Sequence, residues 1–129
     1  MPYLLDTHAV LWFMVEAPEL PSGTQKLIED ADDVYVSIAS FWEMVIKNSK
    51  GKFPLPYPIS EIMRLCTDDL GLSMLNVRDV HLEALRTLPW IHKDPFDRLI
   101  VSQAISENMT LISADERVAE YPVRRVWKV

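Results

Sequence analysis

The chain has a single cysteine, Cys66, so no disulfide can form within it. That economy fits a reducing, cytoplasmic setting. Long apolar runs are also missing. The longest, Ala9 to Val15, is seven residues, whereas a membrane span needs about 20. No Lys or Arg precedes that run, and Asp6 and His8 stand just before it, so neither a membrane segment nor a signal peptide is expected. No repeat, low-complexity stretch or linker divides the 129 residues, which predicts one domain over 1–129. Positive charge is in deficit: 13 Lys and Arg face 19 Asp and Glu, a formal charge of −6. A protein that holds nucleic acid by charge alone is usually basic. Bound metal ions reverse the local sign, however, so the placement of the acids matters more than their sum.

Hydrophobic residues make up 49% of the chain and charged residues 25%, enough for a sizeable core under an ordinary soluble surface. Short β-type runs alternate with helix-length segments. Tyr3–Leu5, Val34–Ser37, Ser73–Val77, Thr110–Ser113 and Val123–Trp127 read as strands. Helices are expected over Thr7 to about Glu16, Ser22–Ala31 with Ser22 as cap, Phe41–Ser49, Glu61–Leu70 capped by Ser60, Arg78–Leu88 and Pro95–Asn108, with a short one over Asp115–Glu120. Pro54, Pro56 and Pro58 mark an extended surface loop. Strands of this length with helices between them and no hairpin signals imply a parallel sheet covered on both faces. The expected fold is a three-layer, doubly wound α/β arrangement of about five strands.

In such a sheet all strand-to-helix junctions share one edge, and ligands bind there, near the point where strand order reverses. Asp6 ends the first strand, Glu43 lies just beyond the second, and Asp115 follows the fourth in Ser113-Ala-Asp115. Asp94 and Asp97 open the long helix in His92-Lys-Asp-Pro-Phe-Asp-Arg98. That helix leads into the fourth strand, so its start belongs at the opposite edge unless the stretch from Pro89 to Asp97 carries it across. Each acid also reads as a plain helix-start residue. Asp6 is a cap, Ser40-x-x-Glu43 and Ser113-x-x-Glu116 are capping boxes, and Asp94, Pro95 and Asp97 make an ordinary helix opening. Convergence would change the balance, because like charges in a cleft are costly without a cation between them. No Lys or Arg directly adjoins Asp6, Glu43 or Asp115. Oxygen-only donors select hard cations, Mg²⁺ or Mn²⁺, and the lone Cys66 and three unpaired histidines argue against zinc. Carboxylate-held Mg²⁺ without a nucleophilic Ser or Cys constellation points to phosphodiester chemistry.

Leu4-Leu5-Asp6-Thr7-His8-Ala9, Ser37-x5-Glu43, Asp94-Pro-Phe-Asp97-Arg-Leu-Ile and Ser113-Ala-Asp115, in that order and over essentially the whole chain, resemble the PIN-domain ribonucleases. Within them the likeness is to the VapC-like toxins of type II toxin–antitoxin modules. The resemblance implies a parallel five-stranded sheet and a Mg²⁺- or Mn²⁺-dependent endoribonuclease that leaves 5′-phosphate and 3′-hydroxyl ends. Carried over by position, Asp6, Glu43, Asp97 and Asp115 become the catalytic and metal-holding acids. Thr7, Asp94 and Ser113 stand behind them. Ser113, two positions before the fourth acid, takes the place of the family's usual Thr. An RNA substrate, a cognate antitoxin that blocks the cleft and a homodimer are implied as well.

Other features have blander readings. His8 is expected to make a local hydrogen bond, and His81 and His92 to lie on a solvated helix and a loop. Lys47, Lys50 and Lys52 either guide an RNA backbone or simply end a helix. Trp12, Phe13, Trp42 and Trp90 are assigned mainly to the core, and Arg124, Arg125 and Lys128 to a charged edge strand. A phosphoacceptor domain would need paired acids after the first strand, and a haloacid-dehalogenase-type phosphatase would need Asp-x-Asp where this chain has Asp6-Thr7-His8. The remaining alternative is a catalytically inactive PIN-like module that binds RNA or protein.

Overall fold

Five short strands, β1 (Tyr3–Leu5), β2 (Val34–Ser37), β3 (Ser73–Leu75), β4 (Thr110–Ile112) and β5 (Arg125–Val126), form one sheet in the computed structural model, which describes residues 2–129. Their order is β3-β2-β1-β4-β5, and every neighbouring pair is parallel. Leu5 lies opposite Val36 on one side and Ile112 on the other. Successive strand residues face opposite layers. Leu5, Val36 and Ile112 therefore join Phe13, Phe41 and Met44 in one core, while Leu4 and Leu111 join Ile100, Val101 and Ala104 in the other. Burying each such side chain is worth about 1.5–3 kcal/mol, which is why these strands read as continuous apolar runs.

Helices α1 (Thr7–Met14), α2 (Ser22–Asp30), α3 (Ile38–Ser49) and α4 (Ile59–Arg64) build the first core, and α5 (Asp79–Arg86) and α6 (Pro95–Ser106) the second. Several helix starts differ from expectation. Helix α3 begins at Ile38 because Ser37, the last residue of β2, accepts the backbone N–H of Ala39; Ser40 is buried inside the helix and caps nothing. Pro21 and Pro58 set up α2 and α4, so Ser22 and Ser60 are helical residues and not caps. Helix α4 widens into a wider-wound turn over Leu65–Asp69, and the chain leaves it through Gly71 at φ +70, a conformation open to glycine. Asp115, and not Ser113, caps the 3₁₀ turn Glu116–Glu120.

The chain runs from β1 outward through β2 to β3, then crosses to β4 on the other side of β1. Strand order reverses between β1 and β4. The long helix starts at the same edge because α5 and α6 are antiparallel. Arg78 and Val80, at the start of α5, meet Glu107 and Ser106 at the end of α6. Leu88 and Pro89, beyond α5, give their carbonyls to Arg98 in the first turn of α6. A helical hairpin thus returns the chain to the edge that a single crossover would have left behind. Among the described residues, no helix is long and apolar enough to cross a membrane.

Candidate active site

Asp6 stands at the end of β1, where its backbone N–H still pairs with Ile112 O at 3.1 Å. Its side chain caps α1, Oδ1 accepting from Ala9 N at 2.8 Å, and is almost fully buried. The hydroxyl of Ser113, at the end of β4, bonds to it from across the strand reversal. Thr7 Oγ1 donates to Glu43 Oε1 at 2.7 Å and lies 3.1 Å from Ser40 Oγ. Glu43 is held on its other oxygen by Lys47 Nζ, 2.7 Å from Oε2. Asp94 is kept extended before Pro95 (φ −71, ψ 122) and caps α6, accepting from Phe96 N and Asp97 N.

Asp97 and Asp115 meet at His92. The His92 Nε2 lies 2.7 Å from Asp115 Oδ2 and 3.2 Å from Asp97 Oδ2. One ligand atom from each of these three residues falls within 4.8 Å of the others. On its outer side Asp115 is gripped by Arg117, with Nε at 3.2 Å from Oδ1 and Nη2 at 3.1 Å from Oδ2. Ser113 Oγ accepts the N–H of Asp115 at 3.1 Å.

The electrostatics record the crowding. Burial pushes Asp97 up from its ordinary 3.8 to about 7, and the nearby charge of Asp94 adds to this; His92 opposes it, and Glu43 and Asp6 raise it further. Asp6 is also raised, first by burial and further by Asp115, against hydrogen bonds from Ser113 and Ala9. Burial would raise Asp115 too, but hydrogen bonds from Arg117 and His92 outweigh it and bring the group down to about 2. Asp6, Glu43 and Asp94 all act on Asp97, so acids from three separate chain segments share one field. Buried oxygen donors in mutual repulsion fit a hard divalent cation.

Three features depart from the sequence reading. Cations do attend the acids: Lys47 sits one helical turn after Glu43, where i,i+4 side chains meet, and Arg117 follows Asp115 by two. The structure also places His92 inside the cluster, only 3% exposed, and His81 is fully buried beside Glu107 and Gln103. The signal for His92 was its spacing. Asp94 before a proline must be extended, which turns the preceding loop back so that His92 Nδ1 accepts Asp94 N at 3.1 Å. Trp42 and Trp90 are exposed and not core: Trp42 meets Phe96 edge-on at 5.0 Å, and the Arg98 guanidinium lies 3.7 Å from the centre of the Trp90 ring. Trp12 is half-buried and tilts against His8 and Trp127.

A parallel sheet whose strand order reverses between β1 and β4, with carboxylates gathered at that reversal, defines an α/β protein with an acidic ligand-binding edge. The chain belongs to the PIN-domain family, whose model matches residues 3–123. It is 25% identical over 118 residues, 92% of this chain and 90% of the other, to Ribonuclease VapC22 of Mycobacterium tuberculosis. Its fold is similar to that in VapBC2 from Rickettsia felis bound to a DNA fragment from their promoter, with TM-score 0.74 at 17% identity over 99% of this chain and 100% of that one. It is similar also to VapBC-1 from nontypeable Haemophilus influenzae, with TM-score 0.68 at 19% identity over 98% and 97%.

Proposed function

We propose that this protein is a Mg²⁺- or Mn²⁺-dependent endoribonuclease, the toxin of a type II toxin–antitoxin module, with residues 1–129 forming one PIN domain. The observation that carries the reading is the shared field of Asp6, Glu43 and Asp97 at the strand reversal, with Asp115 joined to Asp97 through His92. The likeness to Ribonuclease VapC22 supports RNA as substrate. Asp6 and Asp97 would hold the ion directly, and Asp115 would hold it through water or at a second position. When bound, the ion supplies positive charge against the phosphate and acidifies water.

The remaining work falls to this chain's own side chains. Glu43 orients the attacking water and takes its proton. Thr7 and Lys47 fix its two carboxylate oxygens, so it presents a defined lone pair. Lys47, 42% exposed along its side chain, is the cation best placed to meet the RNA backbone at the rim. Ser113 and Ala9 hold Asp6 in place, and Asp94 fixes the helix turn that carries Asp97.

The VapBC structural neighbours support a cognate antitoxin as partner, and a homodimer is proposed from the sequence resemblance to VapC-like toxins alone. Cys66, a buried free thiol, accords with a cytoplasmic protein. The deciding experiment is cleavage of a mixed RNA pool in Mg²⁺, Mn²⁺ and chelator, by the native chain and by Asp6→Asn. Metal-dependent cleavage that vanishes in Asp6→Asn supports the nuclease. Absence of metal-dependent cleavage by the native chain would leave only an RNA- or protein-binding module, and cleavage unchanged by Asp6→Asn would remove Asp6 from the machinery.

A further inference from the structure

His92 does not belong to the family's acid set, yet it is the group that physically joins Asp97 to Asp115. Its ring is fixed on every side. Nδ1 accepts the backbone N–H of Asp94 at 3.1 Å, and the backbone N–H of His92 donates to Tyr121 Oη at 2.7 Å. Tyr121 in turn donates to Pro89 O at 2.9 Å, and Arg98 Nη1 donates to the same carbonyl at 2.8 Å. The loop before α6 is thereby pinned to the helix and to the chain after β4.

The Asp94 contact decides the tautomer. An Nδ1 that accepts a hydrogen bond carries no proton, so the ring proton is on Nε2, facing two carboxylates. Were Nε2 to bind a metal while Nδ1 still accepted from Asp94, the ring would have to be an imidazolate. The geometry points to a different role, and we propose that His92 is a positioning residue. Its Nε2–H bridges Asp97 and Asp115, holds their oxygens side by side for the divalent ion, and stays outside the ion's ligands. One N–H shared between two close carboxylates relieves their repulsion. Arg117 braces only Asp115, and Lys47 only Glu43, so neither can substitute. This inference rests on the metal-dependent reading above.

Two replacements separate the ring's two nitrogens. In His92→Asn the short amide can still accept from Asp94 N–H but does not reach the acids. In His92→Gln the longer amide can still donate to them. Mn²⁺ affinity is measured by electron paramagnetic resonance, folding by thermal melting, and the nitrogen hyperfine coupling of bound Mn²⁺ is compared in natural and ¹⁵N-histidine-labelled protein. We expect His92→Asn to remain folded and to bind Mn²⁺ about 10- to 100-fold more weakly, the usual loss when a group supporting a metal ligand is removed. His92→Gln recovers most of that loss, and native protein shows no histidine nitrogen coupled to Mn²⁺. A histidine coupling lost in His92→Gln would make the residue a ligand and overturn the proposal. Equal Mn²⁺ affinity in His92→Asn and native protein would overturn it too, leaving the nuclease reading intact. Failure of the native protein to bind Mn²⁺ at all would remove both.

Discussion

Lys47 reaches back one turn of α3 to place its ammonium 2.7 Å from Glu43 Oε2, so the most buried of the four acids proposed for the site carries its own counter-ion. Removing one partner of a buried pair leaves an uncompensated charge, at a cost of about 3–5 kcal/mol for full burial. Lys47 is partly exposed, and solvent screening lowers that to about 1 kcal/mol. Lys47→Met should therefore lower the melting temperature of the metal-free protein by a few degrees. Adding Mn²⁺ should restore more stability to this variant than to the native chain, because the ion takes over the missing charge. If Lys47 also meets the RNA backbone, KM for RNA rises more than kcat falls. Parallel melts with and without Mn²⁺, and steady-state cleavage rates, test both statements.

Replacing Asp6 by Asn separates its cap from its charge. Asn caps a helix about as well as Asp, so the bond from Ala9 N survives. The carboxylate is buried and lies in the field of Asp115, both of which disfavour ionisation. Neutralising it should raise the metal-free melting temperature at pH 7 and abolish the extra stability conferred by Mn²⁺. RNA cleavage should fall by more than about 100-fold, beyond the loss typical of a group that merely supports a ligand. An unchanged melting temperature with unchanged cleavage would show that Asp6 is a cap and nothing more.

Asp97 gives the metal-free protein a distinctive response to pH. Its folded value of about 7 stands above the ordinary 3.8, so between these limits the folded chain keeps a proton the unfolded chain has released. Stability from this group therefore declines as pH rises from about 4 to about 7. Asp115, brought down to about 2, acts oppositely: its contribution is present above 3.8 and is lost as pH falls toward 2. Melting temperatures in chelator should fall between about pH 4 and pH 7, and Asp97→Asn should flatten that slope. Because the proton must leave before a cation binds, Mn²⁺ affinity should weaken on acidification below pH 7 and proton release should accompany binding. Calorimetry in two buffers of different ionisation enthalpy measures that release.

The central strands were legible because both of their faces are covered, which forces a mostly apolar run such as Tyr3–Leu5 or Thr110–Ile112. The acids were legible because chain order puts Asp6, Glu43 and Asp115 after β1, β2 and β4. The start of α6 was not, since only the antiparallel packing of α5 on α6 brings Asp97 to that edge, and packing between helices leaves little trace in local sequence. The sequence predicts α3 from Phe41, three residues after its start at Ile38, because Ser37 and Ser40 look alike as caps until β2 is seen to end at Ser37. His92 was missed for the same kind of reason: its partner Asp115 lies 23 residues away, beyond a strand. Trp90 reads as core because its ring is large and apolar, yet it lies at the surface over the buried Arg98 guanidinium.

Ser113 tests how far the hydroxyl itself matters. It is fully buried, bonds to the Asp6 carboxylate and accepts the N–H of Asp115, so one small side chain ties together the acids of β1 and β4. Ser113→Ala removes a bond that favours ionised Asp6, leaving burial and Asp115 to raise that group further. It also leaves the Asp115 N–H without its acceptor, at a cost of about 1–3 kcal/mol if no water replaces it. The expected result is a folded protein with a lower melting temperature, weaker Mn²⁺ binding and slower cleavage at subsaturating metal. Saturating Mn²⁺ should recover most of the rate, because the hydroxyl acts on a ligand and not on the substrate. Ser113→Thr keeps the hydroxyl and should restore metal affinity, with any residual stability loss coming from the extra methyl in a filled site. Should Ser113→Ala bind Mn²⁺ as tightly as the native chain, the link between β1 and β4 contributes to folding alone.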